Sequence, residues 1–413
     1  MLKRDEESQQ PINQDVRRVM ASSTTRSEMQ AKRKHYGLIA LLSAGFILTG
    51  FPTIMNGPIL PTFISRWNLT DSQAGLFFTV QFTSSLAAVW ITTGLTAWRG
   101  YRPGLVIGYI LTGIGLALLN SPTQGVALLA TALYGMGYGL VVPPTNLAGA
   151  EAGGAGVVSL LNFAWGIGAV ACAPLVSVSL RHHSLTRFFW VLAGVGFALA
   201  AAFVFAPLPE KHHDNSTEAA KSRASVPSVG ITTVTAALFF LYVGSEAGIG
   251  GWAAEHVKRL LGHATELTTM TPLFFYAGMM VGRGVASLLL SRIGSLRFVI
   301  LAFSLSILGI VTIIAAHSPH VAIAGFTIAG LGCATIYPIY ISWFSHWYGP
   351  AARRLGGVVF SMASLGGSAL PWLVGFVSTK ANSLPIGFLV PLAGMLVMAV
   401  LVTVLRKRGL QML

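Results

Sequence analysis

The sequence predicts an all-α polytopic membrane protein, with twelve transmembrane helices in two pseudo-symmetric six-helix bundles. Three observations lead there. Of 413 residues 54% are hydrophobic and only 10% charged, with a mean hydropathy of +0.68, more apolar surface than a water-soluble core of this length hides. Apolar stretches of about 18 to 25 residues, long enough to cross a hydrocarbon layer of roughly 30 Å as helices, recur twelve times along the chain. One long polar stretch interrupts them internally and divides them six plus six.

Taken in order, residues 1–36 are polar and mixed in charge, without an apolar h-region or a small-residue cleavage site. They read as a disordered cytoplasmic tail, and the first helix as its own insertion signal. An N-terminal bundle over 37–206 then holds spans near 37–62, 73–97, 103–120, 123–147, 157–180 and 187–206. Residues 207–229, which include Lys211-His-His-Asp214, read as a cytoplasmic linker. A C-terminal bundle over 230–405 holds spans near 230–252, 268–291, 297–316, 320–345, 354–378 and 385–405, and 406–413 form a short cytoplasmic tail.

Basic residues orient these spans, because Lys and Arg are retained on the cytoplasmic side during insertion. With the N-terminus inside, the inner segments carry twenty of them, among them Arg99, Arg102, Lys211, Arg292, Arg297 and Arg406. The outer loops keep six: Arg66, Arg181, Arg187, Lys258, Arg259 and Lys380. Both termini are therefore expected in the cytoplasm, in a plasma or bacterial inner membrane. The formal charge of +14 then reflects topology and contact with the anionic inner leaflet of the lipid bilayer, and no nucleic-acid partner is implied. Cys172 and Cys333 lie within apolar spans, which excludes an extracellular disulfide framework.

The halves resemble distant copies. Gly135, Gly137 and Pro143 in the fourth span have the spacing of Gly330, Gly332 and Pro338 in the tenth, and Gly166 to Pro174 has a near counterpart in Gly366 to Pro371. Prolines and glycines persist in membrane helices where partner helices or a water-lined cavity satisfy the freed backbone groups. A duplicated bundle of this kind places one solute site between two halves that rock.

Of thirteen acidic residues, Glu246 alone falls in the middle of a long apolar run, Leu241-Tyr-Val-Gly-Ser-Glu-Ala-Gly-Ile-Gly-Gly-Trp252. An ionisable group at that depth costs several kcal/mol unless it faces a cavity or a partner. Three roles are open to it: a group that takes a proton outside and releases it inside, an ionised acceptor for solute hydroxyls or ligand for sodium, or a structural carboxyl bonded to a neighbouring helix.

Several stretches together resemble the major facilitator superfamily and, within it, the fucose, galactose and glucose proton symporter group. They are Asn56-Gly-Pro-Ile-Leu-Pro61, Ser72-Gln-Ala-Gly-Leu76, Pro144-Thr-Asn146, Ser159-Leu-Leu-Asn-Phe163, Tyr242-Val-Gly-Ser-Glu246 with Gly251-Trp252, Gly282-Arg283, Tyr337-Pro338 and Gly366-Gly367 with Pro371. The resemblance implies a secondary transporter moving a small polar solute, a monosaccharide above all, by alternating access with proton or sodium coupling. A monomer is expected, and the cysteines and histidines indicate no metal or cofactor. The chain departs from the group where its usual coupling carboxylates stand, at Gly57 or Pro58 and at Val142. That leaves coupling to Glu246, or an uncoupled carrier. The superfamily's loop signature is half present: Gly282-Arg283, Arg292, Gly294 and Arg297 fit it, whereas Trp98 stands where an aspartate is usual beside Arg99. Arg99 with Glu151 as its acid, Arg283 and Arg292 are the expected gating charges.

Helix spacing selects the faces of the solute path. Gln81, Ser84, Ser85 and Ala88 share one face, as do Asn162, Trp165, Gly166 and Ala169. Amides bond hydroxyl groups and aromatic rings cover the apolar face of a sugar. Asn56, Gln81, Asn146, Asn162 and Glu246 with Trp165, Tyr276 and Tyr337 are therefore the expected solute contacts. The same amides also serve as glue between helices. Trp252 reads as an anchor or lid at the outer boundary.

An enzyme is not indicated. No phosphate-binding Gly-Lys-Ser/Thr loop or Gly-x-Ser-x-Gly elbow occurs, and nearly all the histidines fall in loops or at helix ends. A drug or metabolite exporter of the same superfamily, and a non-transporting sensor on a transporter fold, are the alternatives.

Overall fold

Every backbone N–H and C=O inside a bilayer must be satisfied within the protein, and the chain meets that condition with helices. The computed structural model describes residues 10–209, 229–348 and 352–407, with the backbone alone at 10–32, 34, 155, 286–293, 352–354 and 407. Its first bundle holds α1 Gln10–Trp67, α2 Asp71–Arg99, α3 Tyr101–Leu118, α4 Gln124–Gly154, α5 Gly156–Arg181 and α6 Leu185–Phe205. The second holds α7 Val229–Leu261, α8 Glu266–Ile293, α9 Ser295–Ile314, α10 Pro319–Tyr348, α11 Ala352–Ala381 and α12 Leu384–Arg406. Eleven of these meet a spanning criterion of length and hydropathy; α8 supplies the twelfth crossing. The expected linker falls mostly outside the described residues, as do 1–9 and 408–413.

One expectation is corrected at the start of the chain. Most of the stretch read as a disordered tail continues α1 as helix from Gln10. No Gly or Pro occurs between Ile12 and Gly37, and a helix already nucleated in the membrane extends at one hydrogen bond per added residue.

Helix ends follow local chemistry. α2 opens with a capping box, in which the Gln73 N–H donates to Thr70 Oγ1 (3.3 Å) and the Thr70 N–H donates to Gln73 Oε1 (2.9 Å). Gly100 (φ 75°) between α2 and α3 and Gly294 (φ 80°) between α8 and α9 occupy equivalent turns of the two halves. Their left-handed conformation burdens any residue with a Cβ. Gly154 (φ 65°) breaks the run between α4 and α5 in the same way.

The repeat read from glycines and prolines becomes a packing rule. A Cβ at Gly135 would meet the Gln81 carbonyl of α2, and one at Gly330 the Phe275 carbonyl of α8. A Cβ at Gly137 would meet Gly108 and Thr112 of α3, and one at Gly332 Ala302 and Ser306 of α9. α4 and α10 thus sit alike in their bundles, approaching two neighbours through small residues, as helices do where lipid offers no hydrophobic drive. The second pairing needs correcting: the counterpart of Gly366, which lies on the Phe240 carbonyl of α7, is Gly168 on the Ile47 carbonyl of α1. Gly166 has nothing within 4 Å of its would-be Cβ.

Candidate functional site

The amides expected to meet solute on α1 and α2 face each other instead. Asn56 Nδ2 donates to Gln81 Oε1 (2.7 Å), Gln81 Nε2 donates to the carbonyls of Pro52 (3.0 Å) and Thr53 (3.1 Å), and the Tyr134 hydroxyl donates to Asn56 Oδ1 (2.8 Å). All three side chains are buried. This network ties α1, α2 and α4 together and leaves the two amides no free edge toward a cavity, so their assignment as solute contacts is replaced by the inter-helix role.

A cluster of polar and aromatic side chains is centred on Glu246. Its flanking residues Gly244, Ser245 and Gly248 are buried, yet Glu246 itself keeps partial access. Groups from both bundles surround it. Tyr138 of α4, Tyr242 of α7, Tyr276 and Arg283 of α8, and Cys333 and Tyr337 of α10 all lie within electrostatic range of its carboxyl. Tyr242 is also within side-chain hydrogen-bonding range. On the facing bundle Thr53 sits between the Tyr138 hydroxyl and Trp165, whose Nε1 donates to Thr53 Oγ1 at 3.4 Å. Trp165, Tyr276 and Tyr337 are each half-buried. Tyr337 packs at 5.6 Å from the Phe239 ring and 5.8 Å from that of Tyr242. Tyr276 lies against Gly250, one turn beyond Glu246.

A proline explains how Arg283 is held. Pro338 has no N–H to give to the Ala334 carbonyl, and α10 is interrupted at Ala334 and Thr335 before its ladder resumes with Ile339 N–H to Thr335 O (3.1 Å). Arg283 Nε donates to that freed Ala334 carbonyl (3.2 Å), while the Tyr242 hydroxyl donates to the adjacent Cys333 carbonyl (2.9 Å). The loop signature assigned Arg283 to gating; the structure brings it within electrostatic range of Tyr242 and Glu246, which stand one turn apart on α7. The first half has a similar device one residue off the repeat, since Pro144 frees the Leu140 carbonyl and Thr92 Oγ1 of α2 donates to it (3.1 Å).

Asn146 and Asn162 lie nearer the end that carries the termini. Asn162 Nδ2 donates to the Val158 carbonyl (2.8 Å) and to Asn146 Oδ1 (3.4 Å), and Asn146 Nδ2 donates to the Val142 carbonyl (3.1 Å). Asn146 is half-buried and Asn162 exposed, so both keep free hydrogen-bonding capacity.

Every hydrogen bond and ion pair described between the two bundles lies in the half away from the termini. Arg259 of α7 donates both terminal nitrogens to Asp71 at the start of α2, Nη1 to Oδ2 at 2.9 Å, and the Ser378 hydroxyl of α11 donates to the same carboxylate (2.5 Å). Arg259 Nε reaches Glu255 (3.0 Å). Lys258 Nζ reaches Glu255 (3.4 Å), the Pro61 carbonyl (3.2 Å) and Ser65 (2.8 Å). Further along, Thr79 and Thr83 of α2 bond Ser368 of α11 at 2.9 Å. Asp71 and Glu255 are buried, a position that carboxylates tolerate only when paired. At the α5–α8 corner closure is looser: the Arg181–Glu266 pair is exposed at 3.7 Å, beside a cleft of about 350 Å³. Nothing in the sequence singled out this latch, because Asp71, Glu255, Lys258 and Arg259 read there as loop-end charges.

The expected gate at the other end is different. Arg99 stacks on its neighbour Trp98, 4.1 Å from the ring centroid, and Glu151 accepts from the Tyr101 hydroxyl (2.5 Å). The Arg99–Glu151 pair is therefore absent in this conformation, each member having a nearer partner. Arg292 lies outside the residues whose side chains are described. Trp252 is neither anchor nor lid but a buried strut, with Nε1 donating to the Pro371 carbonyl (2.9 Å).

Two six-helix bundles related by an internal repeat, joined at one end and holding a carboxyl and a guanidinium at mid-membrane between them, define a transporter of the alternating-access class. Residues 42–244 match the Major Facilitator Superfamily. The chain is 24% identical over 390 residues to a glucose/galactose transporter of Brucella abortus, covering 88% of this chain and 92% of that one. It is 22% identical over 397 residues to the L-fucose-proton symporter of Escherichia coli, covering 85% and 89%. Among solved structures, the xylose transporter of E. coli in a partially occluded inward-open conformation superposes with a TM-score of 0.71 at 12% identity, covering 91% of this chain and 98% of that one.

Proposed function

We propose that this protein takes up a small polar solute of the monosaccharide class by alternating access, together with a cation that binds at Glu246. The observation that carries the reading is the position of Glu246: a carboxyl with partial access at mid-membrane, ringed by Tyr138, Tyr242, Tyr276, Arg283 and Tyr337 from both bundles. The names of the Brucella and E. coli relatives support a sugar, and the fucose relative supports proton coupling. With both termini in the cytoplasm, as the basic residues indicate, the Asp71–Arg259 latch closes the outer side and the cavity faces inward. The protein then works as a monomer in the bilayer of a plasma or bacterial inner membrane, its bundles 37–206 and 230–405 rocking about the Glu246 site.

Asn146, Asn162, Trp165, Tyr276 and Tyr337 are the groups placed to meet solute. Aromatic faces cover the apolar side of a pyranose and amides bond its hydroxyls. Glu246 couples if it is loaded with a cation only while the cavity faces outward. Uptake of labelled hexoses into proteoliposomes, with and without a proton ionophore, tests the reading. Under it, Glu246→Gln keeps solute exchange and loses concentrative uptake. Loss of both assigns Glu246 to binding, and an unchanged protein removes it from the mechanism.

A further inference from the structure

From the chemistry of the cavity wall we infer that the transported solute carries a carboxylate: it is an acidic monosaccharide, bound by Arg283 and moved with one proton on Glu246. This inference rests on the monosaccharide-transport reading above and names the class of sugar.

Three observations lead to it. First, Arg283 is fixed but not saturated. Its Nε is engaged on the Ala334 carbonyl that Pro338 leaves free, the residue is exposed, and no partner within bonding distance is described for its two terminal nitrogens. A guanidinium held at Nε presents Nη1 and Nη2 as a planar fork, the geometry that a carboxylate takes up in a bidentate pair. Second, Glu246 is near Arg283 without closing on it. The two interact through space, yet no ion pair within 4.0 Å joins them. Each is left with an edge toward the cavity. Third, Asn56 and Gln81, the amides suited to a neutral polyol, are closed off in the α1–α2–α4 network. Asn146 and Asn162, which keep free capacity, lie nearer the end that carries the termini, so beside Glu246 Arg283 is left as the strongest donor.

Charge balance joins these observations. The bundles rock past each other with the site shut off from water, where a net charge costs far more than in solution. In this reading the empty carrier crosses with Glu246 ionised beside Arg283, net zero. With a proton on Glu246 and an anionic solute on Arg283 it is again net zero, so loaded and empty carriers both cross without an uncompensated charge. A neutral sugar with a proton would leave +1 in the occluded site. The proton and the anion enter together and leave together; no bond is made or broken. The other ionisable groups facing Glu246, namely Tyr138, Tyr242, Tyr276, Tyr337 and Cys333, are neutral in the ordinary pH range and do not alter this count.

The test is counterflow in proteoliposomes of the full chain, with D-galacturonate and D-galactose as paired probes. The expected result is exchange of galacturonate at least tenfold faster than galactose. Its proton-driven uptake is expected to be unchanged by a valinomycin-imposed membrane potential, since the loaded complex is electroneutral. Arg283→Gln should cut galacturonate exchange at least tenfold, with Arg283→Lys recovering part of it. Competition between the two probes on the unmodified protein gives the answer even if Arg283→Gln fails to fold. Exchange of galactose with galacturonate excluded would overturn the acidic class and leave the monosaccharide reading standing. Exchange of neither probe by folded protein would overturn both.

Discussion

Arg259, in the last turn of α7, holds Asp71 in the first turn of α2, so that two residues 188 positions apart join the bundles at the end away from the termini. Ser378 of α11 adds a third helix to the same carboxylate. Asp71 is 8% exposed and Arg259 38%, which makes the joint a half-buried one. Removing one member of a fully buried pair costs about 3–5 kcal/mol. For this partly solvated pair the expected loss is about 1–3 kcal/mol, roughly a 5- to 150-fold shift toward opening at that end. Asp71→Asn should therefore raise the reactivity of a cysteine placed at Thr79, which bonds Ser368 behind the latch. Unchanged labelling would show that the latch does not hold the closed state.

Asn56→Ala removes the acceptor of the Tyr134 hydroxyl and the donor to Gln81 Oε1. Each polar group left unpaired in the interior costs about 1–3 kcal/mol. The variant should melt several degrees lower in detergent while the surviving folded fraction keeps the parent's solute affinity. A large loss of affinity at unchanged melting temperature would return Asn56 to the solute path.

The two glycines of α5 should behave oppositely. A methyl group at Gly168 would press on the Ile47 carbonyl, whereas one at Gly166 has nothing within 4 Å. Gly168→Ala is expected to destabilise by about 1–3 kcal/mol, as overpacking of a tight helix contact does, and Gly166→Ala to be neutral. Thermal melting of the purified variants distinguishes them.

Trp252→Phe keeps the ring in its buried position and deletes the hydrogen bond to the Pro371 carbonyl. A loss of about 1 kcal/mol in stability is expected, with transport kinetics close to the parent. A selective change in outward opening at unchanged stability would restore the lid role read from its position in the sequence.

How far the site could be read from the chain differs residue by residue. Glu246 was legible because an acid in the middle of an apolar run is costly and therefore conspicuous. The tyrosines around it were partly legible. Tyr276 and Tyr337 stood out as aromatics suited to cover a sugar, whereas Tyr138 was passed over inside a Gly-rich run that reads as packing. Asn56 and Gln81 carry no signal that tells a solute contact from inter-helix glue, since the same amide chemistry serves both and only the neighbour decides. Arg283 was noticed through a loop signature, while its place near Glu246 depends on a carbonyl freed by a proline 55 residues later in the chain.

By itself the sequence determined the twelve spans, their division into halves, the shared glycine and proline pattern and the one acid at mid-membrane. These follow from hydropathy over a bilayer's thickness and from backbone hydrogen-bond satisfaction, both local properties. Only the tertiary structure decided which polar groups are satisfied by one another and which remain open to solute, and at which end the bundles are joined. Those outcomes depend on which helices touch, and the partners involved, Asn56 with Gln81, Asp71 with Arg259 and Arg283 with Ala334, lie 25, 188 and 51 residues apart, at separations where no periodicity in the chain carries information.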